Sequence, residues 1–155
     1  GALTVGTRDG ATIEMAQAAG EENFFLFGLT AEQVAATRDS YDPRWHVEND
    51  PETRAALDLI AEDHFSRNEP GVFAPILDAL LREGDRYRHL ADLRSYGEAH
   101  SLVGKLYADP EAWTRRAVLN IAASGRFSSD RTIAEYAREI WETPPCPIEP
   151  EPAFR

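Results

Sequence analysis

GALTVGTRDGATIEMAQAAGEENFFLFG, residues 1–28, is the stretch that decides the fold class of this chain. Residues 2–7 alternate between apolar and polar side chains, which is typical of a β-strand. Asp9 is a candidate N-cap for a helix that we expect to end at Gly20. Residues 24–27, FFLF, form a short apolar run of the kind found in a strand buried on both faces. The stretch therefore predicts a strand–helix–strand unit with parallel strands.

About six helices are predicted for the rest of the chain. Two of them begin at an Asp-Pro-Glu sequence, in which aspartate caps the helix and proline occupies its first turn. Thr30 and Gln33 form a predicted capping box, and Ser129 is the predicted N-cap of the last helix. The predicted helices cover residues 30–38, 51–61, 72–82, 93–107, 110–124 and 130–141.

The last predicted helix carries an apolar stripe that we expect to face inward, formed by Ile133, Tyr136, Ala137, Ile140 and Trp141. Residues 40–49 are expected to be an irregular linker. Residues 142–155 are rich in proline and are expected to be an extended tail.

A two-stranded sheet is not stable alone, so the chain is predicted to belong to a larger α/β body. Residues 1–28 would form the strand–helix–strand edge of that body, residues 29–141 its helical part, and residues 142–155 the tail. If the chain stood by itself, residues 2–5 and the FFLF run would lack their sheet partners. Exposed apolar strands of this kind predict oligomerisation or poor solubility.

Composition limits the functions that the chain can have. A length of 155 residues suits one domain, and a net charge of −11 disfavours binding to nucleic acid or to an anionic membrane. The sequence has no apolar run long enough to span a bilayer and no secretory signal pattern. Cys146 is the single cysteine, which excludes an internal disulfide and fits the reducing cytoplasm.

Basic charge is concentrated near the C-terminus. Residues 113–141 hold five arginines against Asp130, Glu135 and Glu139, a local balance of +2. One interpretation is ion pairing within the helices, and the other is contact with an anion or another domain.

The strongest candidate for ligand binding is the turn at residues 6–10, GTRDG, which joins the first strand to a helix N-terminus. Backbone N–H groups at such a turn can hold an anion. The alternative is a simple turn that needs two glycines for its geometry.

Other chemically active side chains form no catalytic pattern. The four histidines lack metal-binding spacing, and neither Ser128 nor Ser129 lies in a nucleophile elbow. Lys105, the sole lysine, lies in a predicted helix and is interpreted as a surface residue. Glu21 and Glu22 are adjacent and are interpreted as part of a solvated loop. The histidines are His46, His64, His89 and His100.

Four blocks of the sequence resemble the α-glucan phosphorylases, the family of glycogen, starch and maltodextrin phosphorylases. They are residues 1–14 (GALTVGTRDGATIE), 20–28 (GEENFFLFG), 90–96 (LADLRSY) and 113–141 (WTRRAVLNIAASGRFSSDRTIAEYAREIW). The order and spacing of the blocks match the family over residues 1 to about 143. Arg8 and Thr12 depart from the usual pattern, and residues 40–84 diverge.

The resemblance implies a GT-B fold, in which two Rossmann-like lobes enclose the active site. This chain would be the end of the second lobe. Family members transfer the terminal glucose of an α-1,4-glucan to phosphate and give glucose 1-phosphate, with pyridoxal phosphate bound through a lysine. The implied partners are the rest of the phosphorylase polypeptide, the glucan, phosphate and a second subunit of a cytoplasmic homodimer.

The family's cofactor lysine lies in a segment that would come directly before Gly1. We therefore expect no catalytic, cofactor-binding or metal-binding residue in this chain, and no activity from the chain alone. Residues 2–7 are expected to support the cofactor segment by packing. The alternative is a non-catalytic structural or binding remnant of the family.

Overall fold

A parallel strand–helix–strand unit opens the computed structural model, which describes residues 2–146. Strand β1 (Val5–Thr7) leads into helix α1 (Gly10–Ala19), and a 3₁₀ turn (Glu21–Asn23) leads into strand β2 (Phe25–Phe27). The strands pair in parallel, with Val5 opposite Phe25. This confirms the predicted strand–helix–strand unit of an α/β chain, although both strands are shorter than the sequence pattern suggested.

Seven further α-helices follow within residues 2–146. Helix α2 begins with the predicted capping box of Thr30 and Gln33. Helices α4 and α7 begin with proline after a capping aspartate, as predicted. The helices are α2 (Ala31–Ala36), α3 (Pro43–Asn49), α4 (Pro51–Ala61), α5 (Ala74–Leu77), α6 (His89–Tyr107), α7 (Pro110–Ser124) and α8 (Ser129–Glu139).

The predicted irregular linker at residues 40–49 is wrong, because helix α3 occupies most of it. The Asp42 carboxylate accepts a hydrogen bond of 2.9 Å from the Arg44 amide, and Pro43 follows the cap. This is the same Asp-Pro signal that begins α4 and α7, here followed by aromatic residues that suggested a loop.

Other helix starts differ from the predicted ones. The N-cap of α8 is Ser128, whose Oγ accepts from the Arg131 amide, and Ser129 is the first helical residue. Asp9 occupies the N-cap position of α1 but does not cap it, because its carboxylate accepts from the Thr7 hydroxyl instead. A single helix was predicted over residues 72–82. In the structure, α5 begins at Ala74, and a π-helical turn (Asp78–Arg82) follows it directly.

The core lies where α6 packs on β2 and α7 packs on α1. Phe24 and Phe25 are buried, which contradicts the expected exposure for half of the FFLF run, whereas Leu26 and Phe27 are half-buried and Ala2 is exposed. The Arg116 guanidinium also covers Phe25, with its Cζ 5.5 Å from the ring centre. The buried apolar residues are Ala16, Phe24, Phe25, Leu57, Leu90, Ala99 and Ala117.

The apolar stripe of α8 does not face the described core. Its large side chains are exposed, which contradicts the inward orientation expected from the sequence. Residues 142–146 form no helix or strand, and residues 147–155 of the predicted tail lie outside the described residues. None of the helices described for residues 2–146 combines the length and the apolar character needed to cross a bilayer.

Candidate functional site

A cleft of about 720 Å³ opens at the carboxyl ends of the two parallel strands. This is the edge at which parallel α/β sheets bind their ligands, and its volume is in the range of ligand sites. We call it the strand-end cleft. It is lined by Thr7 and Asp9 after β1, Phe27 and Leu29 after β2, Ala31 and Val34 of α2, and Tyr87, Arg88, His89, Asp92, Leu93 and Tyr96 at the start of α6.

Two side chains of α6 hold the end of β2 against the cleft. The Gly28 amide donates to Ser95 Oγ at 2.8 Å, and the Leu29 amide donates to Asp92 Oδ1 at 2.8 Å. The Phe27 and Tyr96 rings meet edge to face, with centroids 5.2 Å apart. These contacts join the sequence blocks 20–28 and 90–96, which are far apart in the chain. We call them the α6 latch.

Asp92 titrates differently from an ordinary aspartate. Burial raises the pKa of its carboxyl above the usual 3.8, and the nearby carboxylates of Asp85 and Asp9 raise it further. The hydrogen bond from the Leu29 amide opposes this by stabilising the charged form. The net rise means that folding disfavours the ionised form of the Asp92 carboxyl relative to the protonated form.

The raised pKa of Asp92 predicts a pH dependence of stability. Because the folded chain holds the Asp92 proton more tightly than the unfolded chain, its stability should fall as pH rises through the window between the ordinary value of 3.8 and the raised one. Asp92→Asn removes this titration. Urea unfolding from pH 3 to 6 should therefore show the stability of the original chain, relative to the variant, decreasing as pH rises. A constant difference would contradict the raised pKa.

A buried carboxylate fixes the wall of the cleft beside α6. Asp85 is only 1% exposed. It accepts from the Tyr41 hydroxyl at 2.6 Å, from the His89 amide at 2.9 Å and from the Leu90 amide at 2.8 Å. The Arg88 guanidinium lies over the Tyr41 ring, 3.8 Å from its centre. Burial, followed by the hydrogen bond to Asp85, raises the pKa of Tyr41 well above its ordinary value.

These contacts explain why α6 begins at His89, four residues before the predicted start. Arg88 has a left-handed backbone, with φ 63°, and makes no side-chain cap. Asp85 caps the helix in its place by accepting from the first two helical amides. Neither Asp85 nor Tyr41 was predicted from the sequence, because the pair is brought together from 44 positions apart.

The turn at residues 6–10 is accounted for by packing. A Cβ at Gly6 would lie 2.6 Å from the Thr12 side chain, and Gly10 has φ +48°. The Arg8 amide donates to the Phe27 carbonyl at 3.2 Å and extends the strand pairing. Asp9 places a carboxylate beside the N-terminus of α1, which disfavours an anion there. The structure therefore favours the interpretation of residues 6–10 as a simple turn over their interpretation as an anion-binding site.

The remaining candidates do not come together in a site. Within residues 2–146, no three His, Cys, Asp or Glu side chains are placed to hold a metal ion. Glu21, Glu22 and Ser129 are exposed, and Ser128 serves as a helix cap. Arg131 pairs with Glu135 at 2.7 Å and Arg138 pairs with Glu139, which supports local ion pairing for part of the C-terminal charge.

No lysine is among the described residues that line the strand-end cleft. Lys105 is exposed near the C-terminal end of α6, nine residues beyond Tyr96. At 1.5 Å per residue, this places it roughly 14 Å along the helix from the cleft. The described residues therefore do not fit pyridoxal phosphate, which requires a lysine beside a phosphate-binding pocket.

The sequence of this chain matches a known protein family. Residues 1–143 match the sequence model of the carbohydrate phosphorylases. The chain is 48% identical to glycogen phosphorylase of Chlamydia pneumoniae over 144 residues, which is 93% of this chain and 18% of that protein. It is 46% identical to the brain form of glycogen phosphorylase of Homo sapiens over 153 residues, 98% of this chain and 18% of that protein. It is also 46% identical to glycogen phosphorylase of Synechocystis over 152 residues, 97% of this chain and 18% of that protein.

The chain thus spans about 18% of the length of the curated relatives it matches. The match runs through all four blocks that carried the resemblance, including the two that the α6 latch joins. The chain belongs to the carbohydrate phosphorylase family.

Proposed function

We propose that this chain forms the end of the second Rossmann-like lobe of a glycogen phosphorylase with a GT-B fold. The complete enzyme would transfer the terminal glucose of an α-1,4-glucan to phosphate and release glucose 1-phosphate. The observation that carries the proposal is the 48% identity to a glycogen phosphorylase over 93% of the chain. The parallel strand–helix–strand unit supports it, because such a unit is the edge of a larger α/β sheet.

The proposed division of the chain follows from this role. Residues 1–28 form the sheet edge, residues 29–141 form the helical part of the same lobe, and residues 142–155 form the tail. The α6 latch and the Asp85 contacts hold the carboxyl ends of the strands in place. This gives the segment a supporting part in the enzyme, and the chemistry and pyridoxal phosphate belong to the remainder of a cytoplasmic, dimeric protein.

A chimera tests the proposal directly. The 144-residue segment of the Chlamydia pneumoniae relative over which the two proteins match would be replaced by the corresponding part of this chain. We expect the chimera to release glucose 1-phosphate from an α-1,4-glucan and phosphate. The relative without the segment is the negative control. A folded but inactive chimera would contradict the proposal and favour the alternative, a non-catalytic remnant.

The isolated chain of 155 residues is predicted to be inactive in the same assay. The reason is that its only lysine lies far along α6 from the strand-end cleft. The measurement is glucose 1-phosphate release with pyridoxal phosphate added, and the chimera is the positive control. Release by the isolated chain above the no-protein background would overturn this prediction.

A further inference from the structure

A second cavity lies beside the strand-end cleft on helix α6. It has a volume of about 580 Å³ and lies between the start of α4 and the middle of α6. Leu93 and Tyr96 line both cavities, so the two are adjacent along the same helix. We call the combined surface the Tyr96 groove. An elongated groove of this kind is suited to a linear ligand.

The ring of Tyr96 lies at the junction of the two cavities and is held in place. It meets the Phe27 ring edge to face, with centroids 5.2 Å apart, and its centroid lies 6.0 Å from that of His100. Even so, 41% of Tyr96 remains exposed. A flat aromatic face that is already fixed binds a ligand with little loss of conformational entropy.

Carboxylates flank this ring on both sides. On the side of the strand ends, Asp92 Oδ1 accepts from the Leu29 amide, and none of the hydrogen bonds found within residues 2–146 uses Asp92 Oδ2. On the side of α4, Glu98 is exposed, and its Oε1 lies 3.7 Å from Arg94 Nε. An ionised carboxylate accepts hydrogen bonds and donates none, so both groups match a ligand that is rich in donors such as hydroxyl groups.

The charge of the groove limits the ligand further. The lining carboxylates are those of Asp9, Asp50, Glu52, Asp92 and Glu98, and the lining guanidinium groups are those of Arg88 and Arg94. This excess of negative charge disfavours anions, including sugar phosphates and nucleotides. A neutral saccharide meets all of these requirements, because its C–H face packs on an aromatic ring and its hydroxyl groups donate to carboxylates.

We propose that the Tyr96 groove binds a segment of a linear, neutral α-1,4-glucan, with one glucose unit packed on the Tyr96 ring. The choice of this glucan among neutral saccharides rests on the proposed function, in which the complete enzyme acts on an α-1,4-glucan. Such a site holds the polymer at the enzyme and raises the local concentration of its chain ends.

Protection of a cysteine from labelling tests the groove. Ser101→Cys places a thiol in the lining, and the matched control Lys105→Cys places one a turn further along α6, outside the lining. Both are made with Cys146→Ser, in the isolated chain and in the chimera, and labelling by a maleimide is followed by peptide mass spectrometry.

Maltoheptaose is the probe. At about 10 mM it occupies about nine-tenths of a site with a Kd of about 1 mM, so labelling of Ser101→Cys should slow by roughly fivefold or more. Labelling of Lys105→Cys should be unchanged. Glucose 1-phosphate, which is an anion, should not protect Ser101→Cys.

Two substitutions connect the protection to the groove. Tyr96→Leu keeps an apolar contact with Phe27 but removes the flat ring, and it should abolish the protection. Glu98→Ala removes an exposed carboxylate and should weaken binding by roughly threefold, as expected for the loss of one hydrogen bond. It also provides the test if Tyr96→Leu fails to fold. Full protection in both variants would overturn the proposal.

Absence of protection in the isolated chain would also overturn it. Protection in the isolated chain that is lost in the chimera would show that the remainder of the polypeptide covers the groove, which would equally contradict the proposal.

The groove and the proposed function can fail separately. An inactive chimera with a protected Ser101→Cys thiol would contradict the function and leave glucan binding supported. An active chimera with an unprotected thiol would support the function and contradict glucan binding in the groove.

Discussion

Asp85→Ala is expected to lower the free energy of unfolding by about 3 kcal/mol. The carboxylate accepts from Tyr41, His89 and Leu90. Leu90 is buried, Tyr41 is half-buried, and His89 is exposed. Removal of the carboxylate leaves a tyrosine hydroxyl and two amides without an acceptor. An unpaired buried polar group costs about 1–3 kcal/mol. The decrease in the free energy of unfolding should therefore be several times larger than that caused by an ordinary surface substitution.

Urea unfolding of the original chain and the variant measures this loss. Glu83→Ala is the matched control, since it removes an exposed carboxylate two residues earlier and should change stability by less than about 0.5 kcal/mol. Asp85→Asn should also be strongly destabilising, because its amide nitrogen would face a donor. Equal effects of Asp85→Ala and Glu83→Ala would show that the buried contacts do not stabilise the fold.

Gly28→Ala is expected to destabilise the chain by about 3 kcal/mol. Gly28 has φ +85°, which costs an L side chain about 1–2 kcal/mol, and its Cβ would lie 2.7 Å from Asp92 Oδ2. The Asp92 carboxyl group cannot move away freely, since its other oxygen holds the Leu29 amide. The substitution therefore strains the backbone and weakens the α6 latch together.

Gly10→Ala separates the two effects. Gly10 also has positive φ, at +48°, but a Cβ there would meet no atom within 4 Å. Its cost should be the backbone strain alone, about 1 kcal/mol. If the two variants were equally destabilised in urea unfolding, the latch would contribute nothing at Gly28.

Local signals were sufficient for much of the fold. The capping box at Thr30 and the Asp-Pro starts of α4 and α7 are formed by residues within one helical turn, so they can be predicted from adjacent positions. The parallel pairing of the strands followed from the order strand, helix, strand. Helix α3 shows the limit of this reasoning, because its Asp-Pro start was obscured by the aromatic residues that follow.

The candidate site depended on contacts that no local pattern encodes. Asp92 and Ser95 were visible only as part of a block that resembles a family, and the sequence did not indicate that they hold the end of β2. Likewise, the start of α6 depends on Asp85, which lies outside the helix and reaches its amides across a left-handed residue. Such interactions require the folded arrangement of distant segments.

The long separation between Gly28 and its partner Ser95, 67 positions later, has a consequence for biosynthesis. A ribosome adds about 5–20 residues each second, so β2 emerges roughly 3–13 s before the side chain that holds its end. The delay is longer for the Asn23 carbonyl, because the Asn120 side chain that donates a hydrogen bond to it lies 97 positions later. The strand–helix–strand unit is therefore synthesised several seconds before the side chains that secure it, and its contacts with α6 and α7 can form only after those helices have been made.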